Sequence, residues 1–459
     1  MDIRHWAEEA ISAVRKWQDT FGETSVHPSV DVTDAQFSAS FSRFMDRMRD
    51  NYPFHHPRYA AQMVKPPHPA AVVGYLAAML VNPNNHAREG GPATADMELE
   101  AVRMLADMFG IGSHLGHLTS SGTLGNLEAL YVARESHPGR GIAYSADSHY
   151  THARMCRVLG VEGHSVPTDA RGRMDIEALE ALLARGTVGT VVMTAGTTGT
   201  GAVDPVHEAV AFKERYGVRV HVDAAYGGFF ATLGLADGSP LVDPLPWRAI
   251  SQCDSVVVDP HKHGLQPYGC GAVIFPDAAV RAFYAHDSPY TYFTDAQLHL
   301  GEISLECSRP GAAAAALWLT FQCLPPTREG IGAVLAATRR AALDLDRRLA
   351  NSEALASYQS PDLDIVTFFP RAESGRLSSV DRATARILDD GMRDEHDPLF
   401  LSTLRVPAND AIRRHPWLDE DVDAVRVLRS VLLKPEFETG TGALQQRLEE
   451  LAGAVRNGS

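Results

Sequence analysis

The stretch Asp254-Ser255-Val256-Val257-Val258-Asp259-Pro260-His261-Lys262-His263-Gly264 decides how the rest of the chain is read. Its three valines are β-branched and favour an extended backbone, and the proline and glycine that follow end the strand in a turn. The turn presents one amine, Lys262, between two imidazoles. Upstream, Val218-Arg219-Val220-His221-Val222-Asp223-Ala224-Ala225-Tyr226-Gly227-Gly228 repeats the pattern with a carboxylate. An apolar strand there ends on Asp223, followed by small residues. A surface lysine or a strand-end carboxylate is unremarkable alone. Two chemically complementary groups at the ends of two strands point to a shared site.

An amine able to form a Schiff base and a carboxylate able to keep a pyridinium nitrogen protonated are the minimal protein kit for pyridoxal phosphate chemistry. A third segment suits the phosphate. Leu118-Thr119-Ser120-Ser121-Gly122-Thr123-Leu124-Gly125-Asn126 is a small polar loop running into an apolar helix. The N–H groups of a helix N-terminus, helped by the Thr123 hydroxyl, can receive a phosphate dianion. A plain capped helix start is the competing reading. His149 follows the strand candidate 141–145, where an imidazole can stack on a pyridine ring or simply satisfy a loop. His149 and His152 are three apart, as are His114 and His117, but no carboxylate or cysteine recurs at ligand spacing, so no metal site is expected. His261 can donate to the phosphate; His263 has no assigned role.

The alternation of strand and helix patterns from residue 90 onward implies an α/β protein with a mostly parallel central sheet flanked by helices. In such sheets chemistry collects at the carboxyl ends of strands, and His149, Thr194, Asp223 and Lys262 each follow or end a strand candidate. Further expectations are a helix over the alanine-rich 311–318, a helix over 335–350, strands over 363–369 and 399–406, and a helix over 420–433. Residues 1–75 read as a helical, proline-rich arm without a core of its own, 76–345 as the large cofactor-binding domain, and 346–459 as a small C-terminal α+β domain.

Bulk properties set outer limits. The 459 residues are 45% hydrophobic and 22% charged, ordinary for a soluble globular protein. A formal charge of −15 argues against nucleic-acid or anionic-membrane partners. The longest apolar run, 69–81, falls short of the roughly 20 residues that span a bilayer, and the N-terminus lacks a signal-peptide core. Five scattered cysteines suggest reduced thiols. These features together suit a cytoplasmic enzyme.

Several motifs in order resemble the group II pyridoxal-phosphate decarboxylases, the aromatic-amino-acid, glutamate and tyrosine decarboxylase family of fold type I. They are Asn82-Pro83-Asn84-Asn85 with Glu98, the loop 119–126, the segment Ser145 to His149, the run Thr194 to Thr198, the stretch His221 to Gly228, and Asp259-Pro260-His261-Lys262. The resemblance runs from about 55 to about 335. It implies that Lys262 is the Schiff-base lysine and Asp223 the pyridinium partner, with His149 and Ala225 on opposite faces of the ring. It also implies phosphate contacts from Gly122, Thr123 and His261, a cofactor contact from Thr194, and a homodimer with active sites at the interface. Two departures stand out. Many members carry asparagine at the position of Asp259, and a second anion there is expected to point away from the phosphate. The segment His286-Asp287-Ser288-Pro289-Tyr290-Thr291-Tyr292-Phe293 replaces a longer loop whose tyrosine protonates the substrate carbon; Tyr290 and Tyr292 are the candidates, an aromatic wall the competing reading. The expected reaction is decarboxylation of an L-amino acid, aromatic or bulky by this segment. The alternatives are decarboxylation coupled to oxidative deamination, giving an aldehyde, and β-elimination on the same scaffold. Arg309 and Arg405 are candidates for holding a carboxylate.

Overall fold

Two sheets organise the chain in this computed structural model, which describes residues 1–236, 238, 241–284, 299–372 and 374–457. The first is built from β1 (Leu115–Thr119), β2 (Gly141–Ser145), β3 (Gly163–Val166), β4 (Val188–Thr194), β5 (Arg219–Asp223), β6 (Ser255–Val258) and β7 (Gly271–Phe275), in the order β1-β7-β6-β5-β4-β2-β3. Strands β3, β2, β4, β5 and β6 pair in parallel; β7 is antiparallel to both β6 and β1. Every residue of β4, β6 and β7 is buried, because the sheet is covered on both faces. This is why these strands read as unbroken apolar runs rather than alternating ones.

The helices that matter here are α1 (Ile3–Asp19), α2 (Asp34–Met48), α3 (Pro69–Met79), α4 (Pro92–Met108), α5 (Gly122–Ser136), α6 (Thr151–Leu159), α7 (Ile176–Leu183), α8 (Gly311–Cys323), α9 (Ile331–Ala350), α10 (Leu377–Arg393) and α11 (Phe437–Asn457). The alanine run expected to be helical is α8. It packs on α3 and α4, so closely that a Cβ added to Gly74 would sit 3.1 Å from the Ala316 Cα. Among the described residues no helix is long and apolar enough to cross a membrane.

The second sheet is antiparallel, with β8 (Leu355–Gln359), β9 (Ile365–Pro370), β10 (Ser402–Pro407) and β11 (Ala424–Val431) in the order β10-β11-β9-β8. Leu345, Val366, Phe368, Ile387, Leu428 and Leu448 form one core between this sheet and α9, α10 and α11. The helix expected over 420–433 is not there; the segment is the central strand β11. Val425 and Val427 pack in a cluster with Phe369 and Val406, while Leu428 joins the helix-side core. Two-residue alternation and pairing with β9 and β10 on both sides outweigh the local helical spacing. Residues 206–216, between β4 and β5, form two short helical turns, Val206–Val210 and Phe212–Tyr216.

Candidate active site

The carboxyl ends of β4, β5 and β6 lie side by side. Thr194 ends β4 in register with Asp223, the last residue of β5, and Asp223 is in register with Val257 of β6. Beyond β6 the chain turns through Asp259-Pro260-His261-Lys262, held by the Lys262 N–H donating to the Asp259 carbonyl (2.9 Å) and the His261 N–H donating to the Cys270 carbonyl (3.1 Å). At the far side of β7, β1 runs directly into α5. Ser121 caps that helix, its hydroxyl accepting from the Leu124 N–H, so Gly122 and Thr123 form the first turn. A Cβ on Gly122 would lie 2.8 Å from Asp259 Oδ2 and 3.0 Å from the Ala225 Cβ, so a side chain there would collide with the strand-end residues.

Asp223 is buried and fully engaged. Oδ1 accepts the Ala225 N–H (3.1 Å) and Oδ2 accepts from His152 Nε2 (2.8 Å). Burial pushes its pKa up, but the hydrogen bond and charge of His152, followed by the charge of Lys262, hold the carboxyl far below the usual range. The sequence marked His152 only as half of a histidine pair. The structure puts the pair to separate uses, with His152 on Asp223. His149, just before α6, directs Nδ1 to the Thr151 hydroxyl (2.6 Å), which is 3.4 Å from the Thr123 hydroxyl. Burial lowers the His149 pKa, so the ring is neutral at pH 7. The other pair divides as well: His117 Nε2 meets Glu128 (2.8 Å) in the core.

Lys262 Nζ stands 3.0 Å from Asp259 Oδ2. The expectation that Asp259 points away from the phosphate loop is therefore wrong. Its carboxylate lies beside the N-terminus of α5 and the lysine ammonium, two positive partners that attract an anion. His261 donates from Nδ1 to the Cys270 carbonyl (2.7 Å), with Nε2 3.5 Å from Asp259. Because Nδ1 carries the proton, Nε2 can donate to a phosphate only when the ring is protonated. His263 gains the role the sequence could not assign. Its Nδ1 donates to the Tyr226 carbonyl (2.7 Å) and its Nε2 meets Asp364 (2.8 Å), which also accepts the Tyr226 hydroxyl (2.5 Å). This buried group ties the lysine turn to the segment that enters β9.

The arginines rearrange the expectation about carboxylate binding. Arg309 is buried and bonded to Glu98, to the Leu118 carbonyl (2.7 Å) and to the Asn85 carbonyl (3.1 Å), so it closes a structural network. Arg405 is directly across from Arg426, which binds Asp381 of α10; this places its Cβ on the helix-facing side of the sheet. Arg429, which the sequence did not single out because β11 looked helical, faces the other way. It donates to the carbonyls of Thr198 (2.7 Å) and Gly199 (3.0 Å) and to Ser402 Oγ (3.1 Å). It lines a cavity of about 430 Å³ next to His149, together with Tyr150, Thr198, Tyr358, Leu404 and Arg405. Tyr290 and Tyr292 lie outside the described residues.

The arrangement fits pyridoxal 5′-phosphate. An amine, a buried anionic carboxylate and a helix N-terminus converge, and the buried Thr194 hydroxyl beside Asp223 has no protein partner among the described residues. The α/β architecture is that of fold type I. Over 96% of this chain and 91% of the other, it matches the crystal structure of mouse CSAD, with a TM-score of 0.79 and 21% identity. It also matches a crystal structure of Oryza sativa TDC with PLP and tryptamine, with a TM-score of 0.76 and 18% identity over 98% of both chains. Residues 52–369 match the model of the pyridoxal-dependent decarboxylase conserved domain. The chain belongs to that family, and is a pyridoxal-phosphate-dependent carboxy-lyase. A probable L-tyrosine/L-aspartate decarboxylase of Methanoculleus marisnigri is 31% identical over 72% of this chain and 86% of its own. The L-tyrosine decarboxylase of Enterococcus faecium is 27% identical over 62% of each chain.

Proposed function

We propose that this enzyme removes the α-carboxylate of an aromatic or similarly bulky L-amino acid and releases the amine, acting in the cytoplasm as a homodimer. The observation that carries the reading is the convergence of Lys262 and Asp223 at the ends of neighbouring strands, near enough for the lysine charge to act on the carboxylate. Bound pyridoxal phosphate supplies the electron sink for the bond broken at the α-carbon. Asp223 holds a proton at the ring nitrogen, which an anion kept ionised in a buried site is suited to do. His149 and Ala225 flank the ring faces. Gly122, Thr123 and the first turn of α5 receive the phosphate, with His261 and Thr194 beside it. Lys262, whose Nζ lies 3.0 Å from Asp259 Oδ2, would supply the amine that holds the cofactor aldehyde.

The cavity beside His149 supports a large substrate side chain, because Tyr150, Tyr358 and Leu404 offer it apolar surface. The tyrosine decarboxylases among the relatives support the same substrate class. The exposed arm supports the dimer. Phe37, Phe41, Phe44 and Met48 follow helical spacing on one side of α2, and all are exposed. Such a stripe calls for a covering surface, and a second copy of the chain supplies one. Incubation with a panel of L-amino acids, followed by mass analysis, tests the reaction. Amines from aromatic substrates are expected. Aldehyde with oxygen consumption, or an elimination product, would overturn the reaction, and exclusive turnover of aspartate would overturn the substrate class.

A further inference from the structure

His152 lies entirely inside the protein, in the first turn of α6, and its side chain's one hydrogen bond among the described residues is to Asp223. An ionised carboxylate can only accept, so at 2.8 Å the proton between them belongs to Nε2. Its other ring nitrogen, Nδ1, is buried without a partner among the described residues. A ring placed only to fill space would need no nitrogen there. A buried polar atom without a partner is costly, and its persistence calls for a function. Geometry suggests what that function is. His149 and His152 sit at the start of the same helix, so α6 sets both the imidazole beside the cofactor ring and the imidazole behind the carboxylate at the ring's edge. Two fixed donors, His152 Nε2–H on Oδ2 and Ala225 N–H on Oδ1, leave Asp223 no freedom to rotate.

We propose that His152 is a positioning residue for the cofactor's electron sink: its Nε2–H orients Asp223 and keeps it anionic, so that the carboxylate retains the proton on the pyridine nitrogen. The inference rests on the assignment of Asp223 as pyridinium partner. Without the donor, burial favours the neutral carboxylic acid, which can hydrogen-bond to an unprotonated ring nitrogen but cannot stabilise its positive charge. Neighbouring groups do not replace it. His221, one strand residue away from Val222, is committed through Nδ1 to Ser255 and through Nε2 to Asn126, both at 2.8 Å. Lys262 adds its charge from a distance but is held by Asp259 and does not orient the Asp223 carboxylate.

The test uses the holoenzyme reconstituted with pyridoxal phosphate labelled with ¹⁵N in the ring, whose nitrogen chemical shift reports protonation directly. His152→Phe keeps a ring of similar size without a donor, and His152→Gln returns an N–H at comparable reach. The wild type should give a pyridinium signal, the Phe variant a signal moved toward unprotonated pyridine, and the Gln variant a signal restored most of the way. Loss of one charge-assisted hydrogen bond should also lower kcat about 10- to 100-fold with KM little changed, and Gln should recover part of it. An unchanged nitrogen signal in the Phe variant would overturn the inference, provided that Asp223→Asn shifts it. If Asp223→Asn also leaves the signal in place, the assignment of Asp223 itself falls, and this inference with it. Should the Phe variant not fold, ¹⁵N-histidine labelling of the wild type decides: a His152 ring protonated only at Nδ1 would refute the proposal.

Discussion

Asp364 offers a prediction whose size can be worked from the contacts. It is fully buried, accepts the Tyr226 hydroxyl on Oδ1, and shares a proton with His263 through Oδ2, while His263 Nδ1 is committed to the Tyr226 carbonyl. Burial pushes the Asp364 pKa up, but the charge and hydrogen bond of His263, then the Tyr226 hydroxyl and Lys65, hold it below the usual carboxylate range. Replacing it by alanine strands two buried groups, the phenol and the imidazole, at about 1–3 kcal/mol each, and opens a small void. Asp364→Ala should therefore destabilise by about 3–5 kcal/mol, in line with breaking one partner out of a buried pair. Asp364→Asn should cost only about 1 kcal/mol. A neutral His263 protonated at Nδ1 accepts from the new amide N–H, and the amide oxygen still accepts from Tyr226. Urea unfolding of the two variants without cofactor, followed by circular dichroism, measures both values. Equal losses in Asn and Ala would mean that charge, not hydrogen-bond satisfaction, holds the cluster. A loss near zero in Ala would mean that the cluster is not under strain to stay paired, and the account of the lysine turn would fail.

Other tests address the chemistry and the surrounding fold. Borohydride treatment of the yellow holoenzyme should fix the cofactor on Lys262, and Lys262→Ala should abolish turnover; a peptide map showing another lysine would remove the assignment. Asp204 is buried and accepts the N–H groups of Met174 and Thr194, both at 2.7 Å, yet burial raises its pKa to about 7. The folded chain thus keeps this proton longer than the unfolded one, whose carboxyl titrates near ~3.9, so stability from this group is present at low pH and lost as pH rises toward about 7. The urea midpoint of Asp204→Asn should fall less steeply than that of the wild type over this interval, and parallel slopes would contradict the argument. Tyr290→Phe or Tyr292→Phe should lower the amine yield and raise aldehyde with oxygen uptake, if either phenol delivers the proton to the substrate carbon; an unchanged product ratio would move that role to another acid, His149 being the next to test.

What the sequence made legible follows from how local each signal is. The strands ending at Thr194, Asp223 and before Lys262 are short, β-branched and bounded by turn residues, so their identity and their placement at one sheet end could be read directly. The helix start at Gly122 was equally local. β11 was misread because Ala424 to Val431 satisfies a helical spacing almost as well as a two-residue one, and only pairing with β9 and β10 decides between them. That error hid Arg429. For Asp259, charge repulsion alone predicts an orientation away from the phosphate loop, and only the folded chain supplies the lysine ammonium and helix N-terminus that flank it.

The contacts of His152 and His263 mark a different limit. His152 lies 71 residues from Asp223 in the chain and His263 lies 101 from Asp364. Nothing in the composition around either pair signals the partner, since each histidine sits where an apolar residue would serve the local element as well. Their value arises only after the fold brings the first turn of α6 to the end of β5 and the entry to β9 against the lysine turn. Burial then turns an ordinary polar residue into a demanding one, because an imidazole without a partner is penalised and a carboxylate without a donor becomes neutral. The two pairs accordingly stand on either side of the candidate chemistry, one behind the carboxylate and one behind the amine. The first converts long-range folding into the protonation state of a group at the site, the second into the placement of the lysine turn. On this argument, substitution of His152 should change the ionisation of the site before its shape, whereas substitution of His263 should loosen the lysine turn first, and the two orders of failure are measurable.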